Sequence, residues 1–77
     1  PTLGKEVFFQ INETGNSLEF IFDRSLTGKP ANFYVDDDFL FSATIGKKGS
    51  IKITKASEMG KELLKAIVSR KKIKVIV

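Results

Sequence analysis

The stretch Ser57-Glu58-Met59-Gly60-Lys61-Glu62-Leu63-Leu64-Lys65-Ala66-Ile67-Val68 decides how the rest of the chain must fold. Met59, Leu63 and Ile67 recur every four residues, and Leu64 and Val68 widen the same stripe. Glu58, Lys61, Glu62 and Lys65 fall on the opposite side, so the spacing predicts an amphipathic helix over 57–68. Ser57 can accept a hydrogen bond from an early helical N–H. Arg70 and Lys71 follow where the negative end of the helix dipole would lie. A helix of about three turns does not persist alone in water, so its apolar stripe must be buried against other elements. Everything on either side of it reads as strand.

Lys5 to Ile11 alternates, with Val7, Phe9 and Ile11 on one face and Glu6, Phe8 and Gln10 on the other. Asn12 to Asn16 is a turn-rich link in which Gly15 or Asn16 is free to take positive φ. Ser17 to Asp23 alternates again, with Leu18, Phe20 and Phe22 inward, so strand, turn and strand read as an antiparallel hairpin. Thr27-Gly28-Lys29-Pro30 ends that pairing, with Leu26 plugging the core beneath the connection. Ala31 to Val35 is the third strand and Asp36-Asp37-Asp38 the next turn. Phe39 to Ile45 returns with Phe39, Phe41, Ala43 and Ile45 in register. After the polar turn Gly46-Lys47-Lys48-Gly49, Ser50 to Thr54 points Ile51 and Ile53 inward, and Ile73 to Val77 is the strand after the helix.

The order is five strands, one helix and one strand, which predicts a mainly β fold of about six mostly antiparallel strands, resembling a β-sandwich. One helix cannot cover a parallel doubly wound sheet. A single sheet with the helix packed on one face is the alternative. Apolar residues on both strand faces (Phe8, Ile21, Leu40, Ile76) favour the sandwich, with the helix closing one open edge or end. The predicted core is Val7, Phe9, Leu18, Phe20, Phe22, Phe33, Val35, Phe41, Ile51, Leu63, Ile67 and Val75.

At 77 residues the chain, 1–77, reads as one domain, and its abrupt start and finish read as a module excised from a larger protein. It has no cysteine, hence no disulfide, thiolate ligand or thiol nucleophile, and no histidine, the commonest general base. Stability must come from packing, to which seven phenylalanines contribute much buried area per ordered residue. No run approaches the ~20 apolar residues that span a bilayer, and no signal-peptide pattern opens the chain.

The charge is uneven. Residues 1–46 carry a net −4 and residues 47–77 a net +8. Such asymmetry accompanies binding to nucleic acid or anionic surfaces, but it also arises when strands from both halves interleave and the charges solvate the surface. Lys47, Lys48, Lys52, Arg70, Lys71, Lys72 and Lys74 are the candidate contacts for nucleic acid or another anion. Lys72 and Lys74 alternate outward on what reads as an edge strand, where lysines also discourage aggregation. Only Phe8 and Tyr34 among the aromatics face outward, which leaves few rings for base stacking. The carboxylates of Asp36, Asp37 and Asp38 lack the alternating acids, central glycine and distal glutamate of a calcium loop, and read as turn chemistry with no metal site. Gly46-Lys47-Lys48-Gly49-Ser50 leads into a strand and so is no phosphate-binding loop. No catalytic constellation and no cofactor motif is present.

The segments Leu26-Thr27-Gly28-Lys29-Pro30-Ala31-Asn32-Phe33-Tyr34-Val35-Asp36-Asp37 and Ala43-Thr44-Ile45-Gly46-Lys47-Lys48-Gly49-Ser50-Ile51-Lys52-Ile53 resemble a pattern of immunoglobulin-like and prealbumin-like modules in bacterial and archaeal surface proteins. In those families the residues form a hairpin and the following strand of a β-sandwich. The resemblance implies a spacer, adhesin or docking domain with protein partners, no catalytic residues, and a cell-surface or extracytoplasmic setting. Two features depart from it: the usual glycine is missing from the Asp36 turn, and the helix before the last strand is not a standard part. The function expected is a non-catalytic module with a structural or protein-interaction role, the alternative being a small basic nucleic-acid-binding domain.

Overall fold

The computed structural model describes residues 4–77 and is mainly β with one helix. The strands are β1 (Gln10–Glu13), β2 (Ser17–Ile21), β3 (Pro30–Val35), β4 (Asp38–Thr44), β5 (Ser50–Thr54) and β6 (Ile73–Ile76), and the helix α1 is Glu58–Val68. They form two three-stranded sheets, ordered β1-β2-β5 and β4-β3-β6, in which every pairing is antiparallel. The two inner faces meet through phenylalanines. Phe20 of β2 lies edge-on to Phe33 of β3 with ring centroids 5.0 Å apart, and Phe33 stacks on Phe41 of β4 at 4.5 Å. Leu18, Ala31, Ile45, Leu63 and Val75 complete the buried core around these rings. Ala31, Ile45, Ile53 and Ala66 join the buried set, whereas Val7, Phe9, Val35, Phe41 and Ile67, expected in the core, are half-buried.

The first predicted strand is divided between the sheets. Lys5 and Val77 exchange two backbone hydrogen bonds of 2.9 Å, and the Val7 amide donates to the Val75 carbonyl at 3.0 Å, so this segment begins along the edge of β6. The chain then crosses over, and Gln10–Glu13 pairs with β2 instead. Alternation fixes which residues face inward but not which strand lies alongside, because the period is two whichever neighbour is paired. Val7 and Phe9 therefore still pack on the core, while Ile11, on the edge strand β1, is exposed. Of the four apolar residues that favoured a sandwich, Phe8 and Ile21 are exposed, whereas Leu40 packs against the core and Ile76 is half-buried. The Asn12–Asn16 link shortens to a turn closed by the Thr14 amide on the Ser17 carbonyl, and neither Gly15 nor Asn16 has positive φ.

In β4 a bulge reverses one expectation. Phe33 pairs with Phe41, but Tyr34 pairs with Phe39, which leaves Leu40 as the extra residue. The inserted residue flips the side-chain parity beyond it. Phe39, expected inward, is 58% exposed on the outer face, where its ring meets Tyr34 edge-on at 5.6 Å.

The helix begins as the sequence predicts. Ser57 Oγ accepts from the Gly60 amide at 3.0 Å. Its buried face is rotated from the expected stripe and is centred on Gly60, Leu63 and Ala66, while Val68 is 81% exposed. Gly60 sets this rotation. A Cβ there would run into the Thr54 carbonyl oxygen and lie 2.9 Å from Lys55 Cα, so only glycine lets the helix approach the end of β5 this closely. At the other end Lys71 N–H donates to the Ala66 carbonyl and Arg70 N–H to the Ile67 carbonyl, with Arg70 left-handed at φ 59°. The helix packs on β5 of one sheet and β6 of the other, closing the side of the sandwich between them.

Candidate functional site

The basic residues proposed from the sequence do not converge. Lys47 and Lys48 occupy the β4–β5 turn, at the end of the second sheet where Pro30 pairs with Thr44. Arg70, Lys71 and Lys72 lie between α1 and β6, at the opposite end, where Val35 pairs with Ile73. At about 3.3 Å per residue the length of β3 holds the two groups roughly 20 Å apart. Lys52 belongs to the other sheet, opposite Glu19. Lys74 faces outward as expected, yet β6 is not a bare edge, because Lys5–Val7 pairs along it.

The acidic turn is engaged by this basic segment. Asp36 and Asp37 are the central residues of the β3–β4 hairpin, with φ of 49° and 70°. The Asp36 amide donates to the Lys72 carbonyl at 2.9 Å, and the Asp36 carboxylate accepts from the Lys72 amide at 3.0 Å. Asp37 pairs with Lys74 at 2.7 Å, and Lys74 Nζ also sits 5.8 Å from the centre of the Tyr34 ring. The hydrogen bond from Lys74 holds the Asp37 carboxyl below the usual carboxylate range, and the same bond raises Lys74. Among the described residues no group of three or more acidic side chains is arranged to hold a metal ion. The Gly46–Gly49 loop serves the fold in the same way, its Gly49 carbonyl accepting from the Phe22 amide at 2.7 Å.

A feature with little signal in the sequence lies at the crossing between the sheets. Phe8 stands 99% exposed between an open cleft of about 850 Å³ and a smaller one of about 330 Å³. The larger cleft is floored by Val7, Phe9, Ile21, Phe22 and Leu26. Its polar rim includes Glu6 and Asp23, and no lysine or arginine lines it. Asp23 is fixed by the 2.8 Å bond it accepts from the Ser25 amide, which also lowers its pKa and keeps it ionised. Between the two pairings of the segment, the amides of Phe8 and Phe9 donate to no backbone carbonyl among the described residues. The one signal in the sequence was a phenylalanine on the polar face of an alternating strand. What it could not show is that the strand leaves one sheet for the other there, so that no neighbouring strand covers the ring.

Among the described residues no helix is long and apolar enough to cross a membrane. Comparisons with protein-family models, curated proteins and solved structures found no match to the chain.

Proposed function

We propose that the chain is a non-catalytic protein-interaction module, and that its docking surface is the cleft beside Phe8. The observation that carries this reading is the 99% exposure of Phe8 over an apolar cleft. A large ring kept in water at the mouth of an apolar depression forgoes the favourable burial that a partner would supply. The chain has neither histidine nor cysteine, which leaves its hydroxyls without the usual base and favours binding over catalysis. The test is selection of a displayed library of random short linear peptides on the folded chain. Peptides whose retention is lost on Phe8→Ser support the reading. No enrichment, or binders indifferent to that change, overturns it. Phe8→Ser leaves the unfolding midpoint in place, because the ring contributes almost nothing to the core.

The outer face of the second sheet favours a second reading, nucleic-acid binding, because Tyr34 and Phe39 lie there beside Lys74. The first reading is preferred because Lys74 is already paired with Asp37, and of the remaining cations Lys47 and Lys48 lie at the opposite end of the sheet from Arg70, Lys71 and Lys72, with Lys52 on the other sheet. Affinity for a mixed-sequence oligonucleotide no greater than that of an unrelated protein of equal charge is the expected result. Micromolar binding at physiological salt, lost on Lys72→Glu with Lys74→Glu, would reverse the order.

A further inference from the structure

We infer that the occupant of the Phe8 cleft is an extended segment of another protein that presents apolar side chains together with a lysine or arginine. The inference rests on the docking reading and adds the chemistry of the partner. Three features of the cleft converge on it. The floor of Phe9, Ile21, Phe22 and Leu26 asks for aliphatic or aromatic side chains. The amides of Phe8 and Phe9 are unpaired with backbone among the described residues; being on successive residues they face opposite sides of an extended chain, so one of them can meet a carbonyl of an extended backbone lying alongside. The rim selects charge.

Glu6 and Asp23 are the only ionisable side chains lining the cleft, on a molecule whose net charge is +4. Neither joins an ion pair within 4.0 Å among the described residues, and Lys74, the cation whose field Glu6 reaches, is committed to Asp37. A local anionic rim on a cationic protein attracts a basic segment and repels an acidic one. It also disfavours a second copy. A two-fold dimer through this face would bring the Glu6 and Asp23 carboxylates of both copies into one interface with no lysine or arginine of the cleft lining to offset them.

The peptide selection distinguishes the two levels. Dependence on Phe8 tests the docking reading, whereas the composition of the selected peptides tests the partner. The expected consensus alternates apolar residues with lysine or arginine, and it is depleted of acidic residues. A representative selected peptide, labelled and titrated by fluorescence anisotropy, should bind about tenfold more weakly to Phe8→Ser. Its affinity should fall about fivefold on Glu6→Gln combined with Asp23→Asn, and again on adding salt. Asp23→Asn keeps a side-chain oxygen for the Ser25 amide, so the local turn survives. Phe8-dependent peptides that are neutral or acidic, or that ignore the two carboxylate changes, overturn the basic partner while leaving the docking surface standing. Absence of any Phe8-dependent peptide overturns both. A Phe8-dependent dimer in sedimentation, with no enriched peptide, assigns the cleft to a second copy and overturns the inference.

Discussion

Lys74 Nζ, on the last strand, lies 2.7 Å from the carboxylate of Asp37 in the β3–β4 turn and 5.8 Å from the centre of the Tyr34 ring. The pair joins the basic end of the sequence to its acidic cluster, at the end of the ladder by which β6 pairs with β3. A second ion pair, Lys55 with Glu13 at 2.7 Å, likewise links a lysine of the basic half to a carboxylate of the acidic half. The first pair has a consequence for pH.

Asp37, with its pKa lowered by the Lys74 hydrogen bond, binds fewer protons folded than unfolded across the acid range. Its contribution is present above the ordinary carboxylate pKa of about 4 and is lost as pH falls through the lower folded value. Lys74 is raised by the same bond, so its contribution is present at ordinary pH and is lost only as pH rises through the raised value. Thermal unfolding midpoints measured against pH should therefore fall below about pH 4. Asp37→Asn should make that acid limb shallower, and an unaltered limb would show that the pair adds nothing to stability.

The helix contact gives two opposite expectations. Leu63 is fully buried, so Leu63→Ala should cost roughly 2–5 kcal/mol in urea unfolding. Gly60→Ala would ordinarily stabilise a helix by about 1 kcal/mol. Here it should destabilise, because the new methyl meets the Thr54 carbonyl and backbone cannot move aside as a side chain does. A Gly60→Ala protein as stable as the parent would mean that the helix stands further from β5.

Arg70 closes the helix in a left-handed conformation that glycine adopts without steric cost. Arg70→Gly should raise stability by about 0.5–1 kcal/mol, the Cβ strain removed being partly offset by a more flexible unfolded chain. Arg70→Ala, which keeps the Cβ, separates this effect from loss of the guanidinium. Equal midpoints for the two variants would count against backbone strain as the cause.

The bulge in β4 predicts that two phenylalanines of similar sequence context behave differently. Phe33→Ala should cost about 3–5 kcal/mol, because its ring lies between Phe20 and Phe41 at the centre of the core. Phe39→Ala should cost less than about 1 kcal/mol, its ring being largely exposed and edge-on to Tyr34. A large loss from Phe39→Ala would restore the unbulged register.

Calcium and magnesium should leave the unfolding midpoint unchanged. Asp36 is bonded to the Lys72 amide and Asp37 to Lys74, so an ion in the turn would have to displace both. Thermal unfolding with millimolar calcium and again with chelator checks this. A calcium-dependent rise abolished by Asp36→Asn with Asp38→Asn would make the turn a metal site.

The inward sets of the central strands could be read directly from alternation. Leu18, Phe20 and Phe22 in one segment, and Ile51 and Ile53 in another, are buried as their period-two spacing requires. The helix, its Ser57 cap and its place before the last strand could be read for the same local reason, since a cap and an apolar stripe need only neighbours in sequence. The candidate site was legible only as one outward phenylalanine. The split of the first segment between two sheets, the parity flip at Leu40 and the rotation of α1 onto Gly60 are relations between distant parts of the chain. Alternation is blind to which strand lies alongside, a bulge has no fixed residue type, and a glycine in a helix does not say what backbone it admits. The charge imbalance belongs to both levels. The sequence determined that the first half is acidic and the second basic, and the tertiary fold decided that they meet. Setting β6 beside β3 and β5 beside β2 brings Lys74 to Asp37 and Lys55 towards Glu13, so charges far apart in the chain neutralise each other across the sheets. Glu6 and Asp23 are left facing the Phe8 cleft without such partners among the described residues, Glu6 on the segment that crosses from one sheet to the other and Asp23 just after β2.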